Sequence, residues 1–380
     1  LLPQAKKAIV VATAKVVLFI LKQSVLETPT ANVMKAKRIL ICGTQVPFVR
    51  GGAEYLSEGL RDALAERGHT VDIVTMPFNW HPVERVTQSA LAWRLIDLTD
   101  FTDIPVDQVI CTKFPSYLVR HPNKTVWLVH QHRQAYDQYG TPLSDFFNVA
   151  ADRAVREQLF RMDRIGLSEA RAVYTISRNV SKRLQHFNEI AGTPLYPPSR
   201  YSGQLRSGPY GDYVFSSARL DPAKRLDLLL EALAHCNPPL RALFAGTGPD
   251  RVRLEKLAAR LGLGARVQFL GFVDDARLID LYANARAVYY APVDEDYGFA
   301  TVEAFGSARP VVTTHDAGGV LEFVSDGING YVVPPDPLVL AQRLERLAVD
   351  AALAARLGQA AAPLVRDISW DTVVATLLGG

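Results

Sequence analysis

Two carboxylates separated by a glycine turn give this chain its clearest chemical signal. Glu295 and Glu303 stand eight positions apart in the stretch PVDEDYGFATVEAF, residues 292–305. An apolar strand, Ala287 to Ala291, precedes them. The second glutamate opens the first turn of a helix closed by Pro310, and a further strand runs from Pro310 to Thr314. In an open parallel sheet, the loop after a strand and the start of the next helix are where ligands bind. Gly298 lets backbone N–H groups come close to a phosphate, and the helix N-terminus, here Phe299 and Ala300, favours negative charge. Taken singly, a glutamate in a first turn only complements the helix dipole, and one in a loop is solvated charge. The pair, with this glycine between, reads as a site. Asp294-Glu295-Asp296 also offers oxygens to a hard cation, but three successive acids are ordinary on loops, and no metal is expected.

Cations occupy a second strand-to-helix turn. The strand Tyr213 to Ala218 runs into Arg219-Leu220-Asp221-Pro222-Ala223-Lys224-Arg225. Arg219 and Lys224 are placed to clasp a diphosphate through charge-assisted hydrogen bonds, whereas Arg225 reads as a solvated loop residue. Gly246-Thr247-Gly248-Pro249 ends the next strand. Towards the N-terminus, Gly51-Gly52 precede a helix and form an anion-accepting mouth, although the G-x-G-x-x-G dinucleotide spacing is absent. His130 ends another strand, followed by Gln131, His132 and Arg133. A lone histidine there is more often satisfied by backbone; two histidines and an arginine after one strand point to a site. Tyr136 and Asp137 continue this loop towards an acceptor.

These side chains need a frame. Strand-like runs recur between helical stretches, at Arg38–Gly43, Thr70–Met76, Gln108–Thr112, Thr125–Val129 and Ala172–Ile176, and again from Tyr213 to Val333. That alternation predicts parallel sheets covered by helices on both faces, an α/β fold. A length of 380 residues suits two domains, and Leu195-Tyr196-Pro197-Pro198-Ser199 reads as their connection. Two such domains facing each other enclose a cleft. With 48% hydrophobic and 21% charged residues the composition is that of a globular protein. A net charge of +3 without a basic, aromatic-interleaved stripe excludes a nucleic-acid partner. Cys42, Cys111 and Cys236 are widely spaced and odd in number, which argues against disulfides or a zinc site. Residues 1–33 carry apolar runs broken by Lys15 and closed by Lys22, short of the roughly 18 residues a spanning helix needs. They read as an appended amphipathic segment resting on a membrane surface, with the catalytic unit starting near Met34.

Together, Arg219…Lys224, Gly246-x-Gly248-Pro249, Glu295…Glu303, Gly318-Gly319…Glu322 and Gly51-Gly52-Ala53-Glu54 resemble the retaining glycosyltransferases of family 4, which have the GT-B fold. The resemblance runs from Met34 to the C-terminus and is strongest over residues 213 to 335. It implies two facing Rossmann-like domains: an acceptor domain at 34–200, a nucleotide-sugar domain at 207–362, and a final helix at 363–380, with Trp370, crossing back to the first. It implies transfer of a hexose-type sugar from a nucleotide-sugar donor to a glycan or lipid-linked acceptor, with retained configuration and no metal. Arg219 and Lys224 would hold the diphosphate, Glu303 the ribose hydroxyls and Glu295 the donor sugar. Backbone at Gly298, Phe299 and Ala300 would meet the phosphates, and His130 would line the reacting sugar. Ala300 departs from a glycine common in the family. The expected location is the cytoplasm, at the inner face of the cell membrane. A nucleotide-sugar epimerase or a non-catalytic nucleotide-sugar binding protein of the same fold are the alternatives.

Overall fold

Apolar runs bounded by polar turns form the strands of two six-stranded sheets, both parallel throughout. The computed structural model describes residues 35–101 and 103–379, so the expected segment at 1–33 lies outside the described residues. Lys37–Gly380 form one compact unit.

The first sheet takes β1 (Arg38–Gln45), β2 (Thr70–Pro77), β3 (Gln108–Cys111), β4 (Lys124–Leu128), β5 (Ala172–Thr175) and the short β6 (Thr193–Pro194), ordered β2-β1-β3-β4-β5-β6. The second takes β7 (Tyr213–Ser217), β8 (Arg241–Ala245), β9 (Val267–Gly271), β10 (Ala287–Tyr289), β11 (Val311–Thr314) and β12 (Gly330–Val333), ordered β9-β8-β7-β10-β11-β12. The runs expected to be strands are strands. Every residue of β3 and β4 is buried, as parallel strands covered on both faces must be. The sequence reading missed β6 and a two-stranded hairpin, Asp100–Phe101 with Ile104–Pro105, because two-residue strands leave no periodicity to detect.

Helices connect the strands. The ones that matter here are α1 (Gly52–Glu66), α2 (Arg178–Asn188), α3 (Asp275–Ala283), α4 (Phe299–Gly306) and α5 (Trp370–Leu378). Helix α5 packs on the first lobe: the Trp370 ring meets Trp127 edge-on at 6.2 Å, and Gln108 donates to the Leu377 carbonyl at 2.8 Å. The apolar core is continuous between lobes, and Tyr196 of the connection sits among Tyr297 and Phe323 at 6.0 and 5.5 Å.

Candidate active site

The second sheet reverses its strand order between β7 and β10. In open α/β sheets ligands bind in the crevice at such a switch point, beyond the carboxyl ends of the strands. Arg219 and Lys224 stand on the loop leaving β7, Glu295 on the loop leaving β10.

Asp221 begins a single 3-10 turn, Pro222–Lys224, by accepting from the Ala223 amide at 3.0 Å. Arg225 then adopts a left-handed conformation (φ 48°). Contrary to the expectation of a solvated cation, its guanidinium binds both Asp316 oxygens, at 2.8 and 2.7 Å, together with Thr314 and the Ala291 and Pro292 carbonyls. Arg225 thus fastens the cation loop to the glutamate loop. Lys224 lies against Glu295 as a direct ion pair and reaches the Tyr290 hydroxyl at 3.3 Å, while Tyr290 donates to the same carboxylate oxygen at 2.8 Å. Burial works against ionisation of Glu295, but the Lys224 ammonium and the hydrogen bonds from Lys224 and Tyr290 hold its pKa below the ordinary value. Arg219 is exposed, and among the described residues its side chain makes no hydrogen bond or ion pair. The missing side chain of Gly246 makes room for the Ala218 carbonyl immediately before it, at a φ of 138° closed to most residues.

Helix α4 starts at Gly298, whose φ of 92° turns the chain sharply out of the Glu295 loop. Phe299 and Ala300 form its first turn. Glu303 is its fifth residue, not part of the first turn as the sequence suggested, because the helix begins directly after its N-cap, Gly298. Only 8% of Glu303 is exposed; its carboxylate accepts from Tyr282 on α3 at 2.9 Å and from Ser199 of the connection at 3.1 Å. Burial pushes its pKa up to about 7, against the opposing pull of these two hydroxyls. Tyr290 links the two glutamates electrostatically: burial raises its pKa first, then Glu295 and, more weakly, Glu303.

The first lobe closes over this crevice. Gly51 is the N-cap of α1 and donates its amide to Glu54 at 2.8 Å; a Cβ at Gly52 would come 3.2 Å from the Phe299 ring. His130 donates its Nδ1–H to the Gln131 carbonyl, 2.7 Å away. Burial lowers its pKa, with Asp296 of the other lobe pulling the opposite way, which favours the uncharged imidazole.

The lobes meet through charge. Arg183 on α2 pairs with Asp137 and Asp294 at 3.1 Å each and with Asp296, and Arg133 pairs with Asp137, Asp294 and Asp296. The acids on either side of Glu295 are therefore committed to arginines of the opposite lobe. Asn179 adds hydrogen bonds to Asp294 and to the Glu295 carbonyl, at 2.7 and 2.9 Å. Glu322 caps α2 from the second lobe, accepting from the Arg178 and Asn179 amides at 2.9 and 2.7 Å and from Tyr196 at 2.7 Å. Beside this junction lies a hollow of about 400 Å³ lined by Asn179, Lys182, Asp294, His315, Asp316 and Glu322. Neither this hollow nor a larger one of about 610 Å³, around Arg94, Arg120 and Glu169, is lined by a site residue named from the sequence.

The structure thus joins Lys224 and Glu295 through Tyr290 and sets Gly52 against Phe299, while Glu303 is held apart from them by Tyr282 and Ser199 and Arg219 is exposed. Tyr290, Tyr282, Ser199, Asn179 and Arg183 escaped the sequence reading. Only Tyr290, at a strand's carboxyl end, carried a positional signal.

The model for glycosyl transferases group 1 matches residues 202–363. The D-inositol 3-phosphate glycosyltransferase of Streptomyces bingchenggensis is 33% identical over 172 residues, which covers 42% of this chain and 38% of that protein. Human alpha-1,3/1,6-mannosyltransferase ALG2 is 28% identical over 170 residues, covering 40% of this chain and 41% of its own. The matches thus span about two fifths of these curated relatives. Two solved structures superpose over nearly all of the chain: sucrose-phosphate synthase from Thermosynechococcus elongatus (TM-score 0.72, 20% identity, 90% of this chain and 98% of that one) and Anabaena HepE in complex with UDP-glucose (TM-score 0.66, 19% identity, 90% and 99%). The chain therefore has the GT-B fold, and its residues 202–363 are similar to the glycosyl transferases group 1.

Proposed function

We propose that this chain is a retaining glycosyltransferase that moves a hexose-type sugar from a nucleotide-sugar donor to a glycan or lipid-linked acceptor without a metal ion. The observation that carries this is the Lys224–Glu295–Tyr290 cluster at the switch point of the second sheet, with Arg219 exposed on the same loop as Lys224. The family match over the same lobe supports it, as do the UDP and UDP-glucose bound to HepE.

In this mechanism Arg219 and Lys224 meet the donor diphosphate and stabilise the charge that grows as its bond to the sugar breaks. Glu295 touches the donor sugar and Glu303 accepts from the ribose hydroxyls. His130, supplied by the other lobe, lines the sugar. The acceptor hydroxyl bonds to the anomeric carbon on the face the diphosphate leaves, and its proton passes to the departing phosphate oxygen. Asp294 and Asp296 pair with arginines of the first lobe, which offsets their negative charge beside the proposed phosphate site. Closure of the lobes excludes water and limits donor hydrolysis. A lipid-linked acceptor would bring the enzyme to the cytoplasmic face of the membrane; among the described residues no helix is long and apolar enough to cross one.

Incubation with labelled UDP-glucose, UDP-N-acetylglucosamine and GDP-mannose and a set of glycan and lipid-linked acceptors tests the proposal. Label should pass to an acceptor with the donor's anomeric configuration, as NMR of the product reads out. Isomerised donor without transfer would overturn it in favour of an epimerase, and donor binding without any turnover in favour of a binding protein.

A further inference from the structure

Glu303 does not hold its position by the helix alone. Tyr282 is fully buried and its hydroxyl donates to one carboxylate oxygen at 2.9 Å; Ser199, 2% exposed, donates to the other at 3.1 Å. Tyr282 belongs to a neighbouring helix of the same lobe, whereas Ser199 belongs to the connection between lobes. The connection is itself pinned here: the Ser199 hydroxyl accepts from the Tyr201 amide at 3.1 Å, and Tyr297, just before α4, donates to the Pro197 carbonyl at 2.9 Å. A carboxylate gripped from both sides presents its remaining lone pairs in one fixed plane, the arrangement required to accept two hydroxyls at once.

We propose that Ser199 and Tyr282 are positioning residues for nucleotide recognition, orienting Glu303 so that it takes both hydroxyls of a ribose diol. The nucleoside site then extends from the second lobe into the interlobe connection. Other groups face this carboxylate: Arg200 on the connection favours its charge, Asp275 on α3 opposes it, and the phenols of Tyr201, Tyr290 and Tyr297 feel it. Among the described residues only the Ser199 and Tyr282 side chains hydrogen-bond to it. They act in this way only if Glu303 meets the ribose, as proposed above.

Calorimetric titration with UDP and with 2′,3′-dideoxy-UDP separates the possibilities, applied to the full chain and to Ser199→Ala, Tyr282→Phe and Glu303→Gln. The wild-type protein should prefer UDP. Each positioning variant should lose roughly tenfold in UDP affinity and none for the dideoxy compound, at a temperature where circular dichroism shows every variant folded. A general packing defect would weaken both ligands alike and overturn the proposal. If wild type discriminates, Glu303→Gln abolishes the discrimination, and Ser199→Ala and Tyr282→Phe both keep it, the positioning role falls while the ribose role of Glu303 stands. If wild type shows no preference, or Glu303→Gln retains it, the ribose role fails and the positioning role with it.

Discussion

Arg183 of the first lobe is buried against Asp296 of the second, one residue from Glu295. The Arg133 and Arg183 guanidiniums hold the Asp296 carboxyl well below its ordinary pKa, although burial alone would raise it. The loop that presents Glu295 is therefore fixed by both lobes, and its geometry is complete only when they are together.

Arg183→Met removes one cation shared by three acids. Arg133 still pairs with the same acids, so the cost is that of one lost charged partner, about 2 kcal/mol rather than that of a bare buried carboxylate, and urea unfolding should show a loss of that order. Transfer should fall with it, because the Glu295 loop loses its anchor. A double-mutant cycle of Arg183→Met with Asp296→Asn should show strong coupling, and additive effects would deny the pairing.

Lys224→Ala deletes the ammonium that lies on Glu295, and Glu303→Ala the carboxylate proposed for the ribose. Each should lower kcat/KM for transfer by about a hundredfold or more while circular dichroism stays that of the wild type. Wild-type turnover in either variant would remove that residue from the proposed mechanism.

The placement of these residues in the fold, with their roles still proposals, was legible beforehand. Glu295, Glu303, Lys224 and Arg219 announced themselves through spacing beside strands, because the α/β plan ties strand ends to ligands. The strands were legible for the same reason, since parallel strands are continuous apolar runs. Arg225 misled because its partner, Asp316, lies on a distant loop. Arg183 and Ser199 were invisible because their importance comes from the lobe opposite or the lobe beside them, and sequence distance says nothing of that.

The pH dependence follows from Glu303, whose pKa rises from an ordinary 4.5 to about 7 in the folded chain. Ionised, it accepts from two hydroxyls; protonated, it must donate one of its own. Nucleotide affinity should therefore climb as pH rises through about 7. Stability moves the other way. The protonated carboxyl favours the folded state fully below pH 4.5, and that contribution, on the order of 3 kcal/mol, is lost as pH rises to about 7. Unfolding of Glu303→Gln across this range should lack that component, and an identical pH profile would show that burial does not govern the group.

Glu322→Gln weakens the cap of α2 from across the lobe boundary. Loss of a charged acceptor for two helix-end amides should cost about 1 to 2 kcal/mol. Hydrogen exchange should speed up at the Arg178 and Asn179 amides before it does so at the strands, and unaltered protection there would show that the cap is dispensable.

A protein beginning at Met34 should fold and keep its activity, since Lys37–Gly380 form one compact unit. Aggregation or inactivity of that shortened protein would assign residues 1–33 a part in folding or catalysis.

Trp370 has a consequence for how the molecule is made. Its indole fills a notch on α1 where a Cβ at Gly59 would lie only 2.5 Å away, and α5 covers strands whose residues were synthesised long before it. As the ribosome releases the chain from its N-terminus, the first lobe stays uncapped until the whole second lobe has emerged. Its apolar groove around Trp127 is thus exposed throughout translation, and nascent chains stalled before Trp370 should be the ones that chaperones hold.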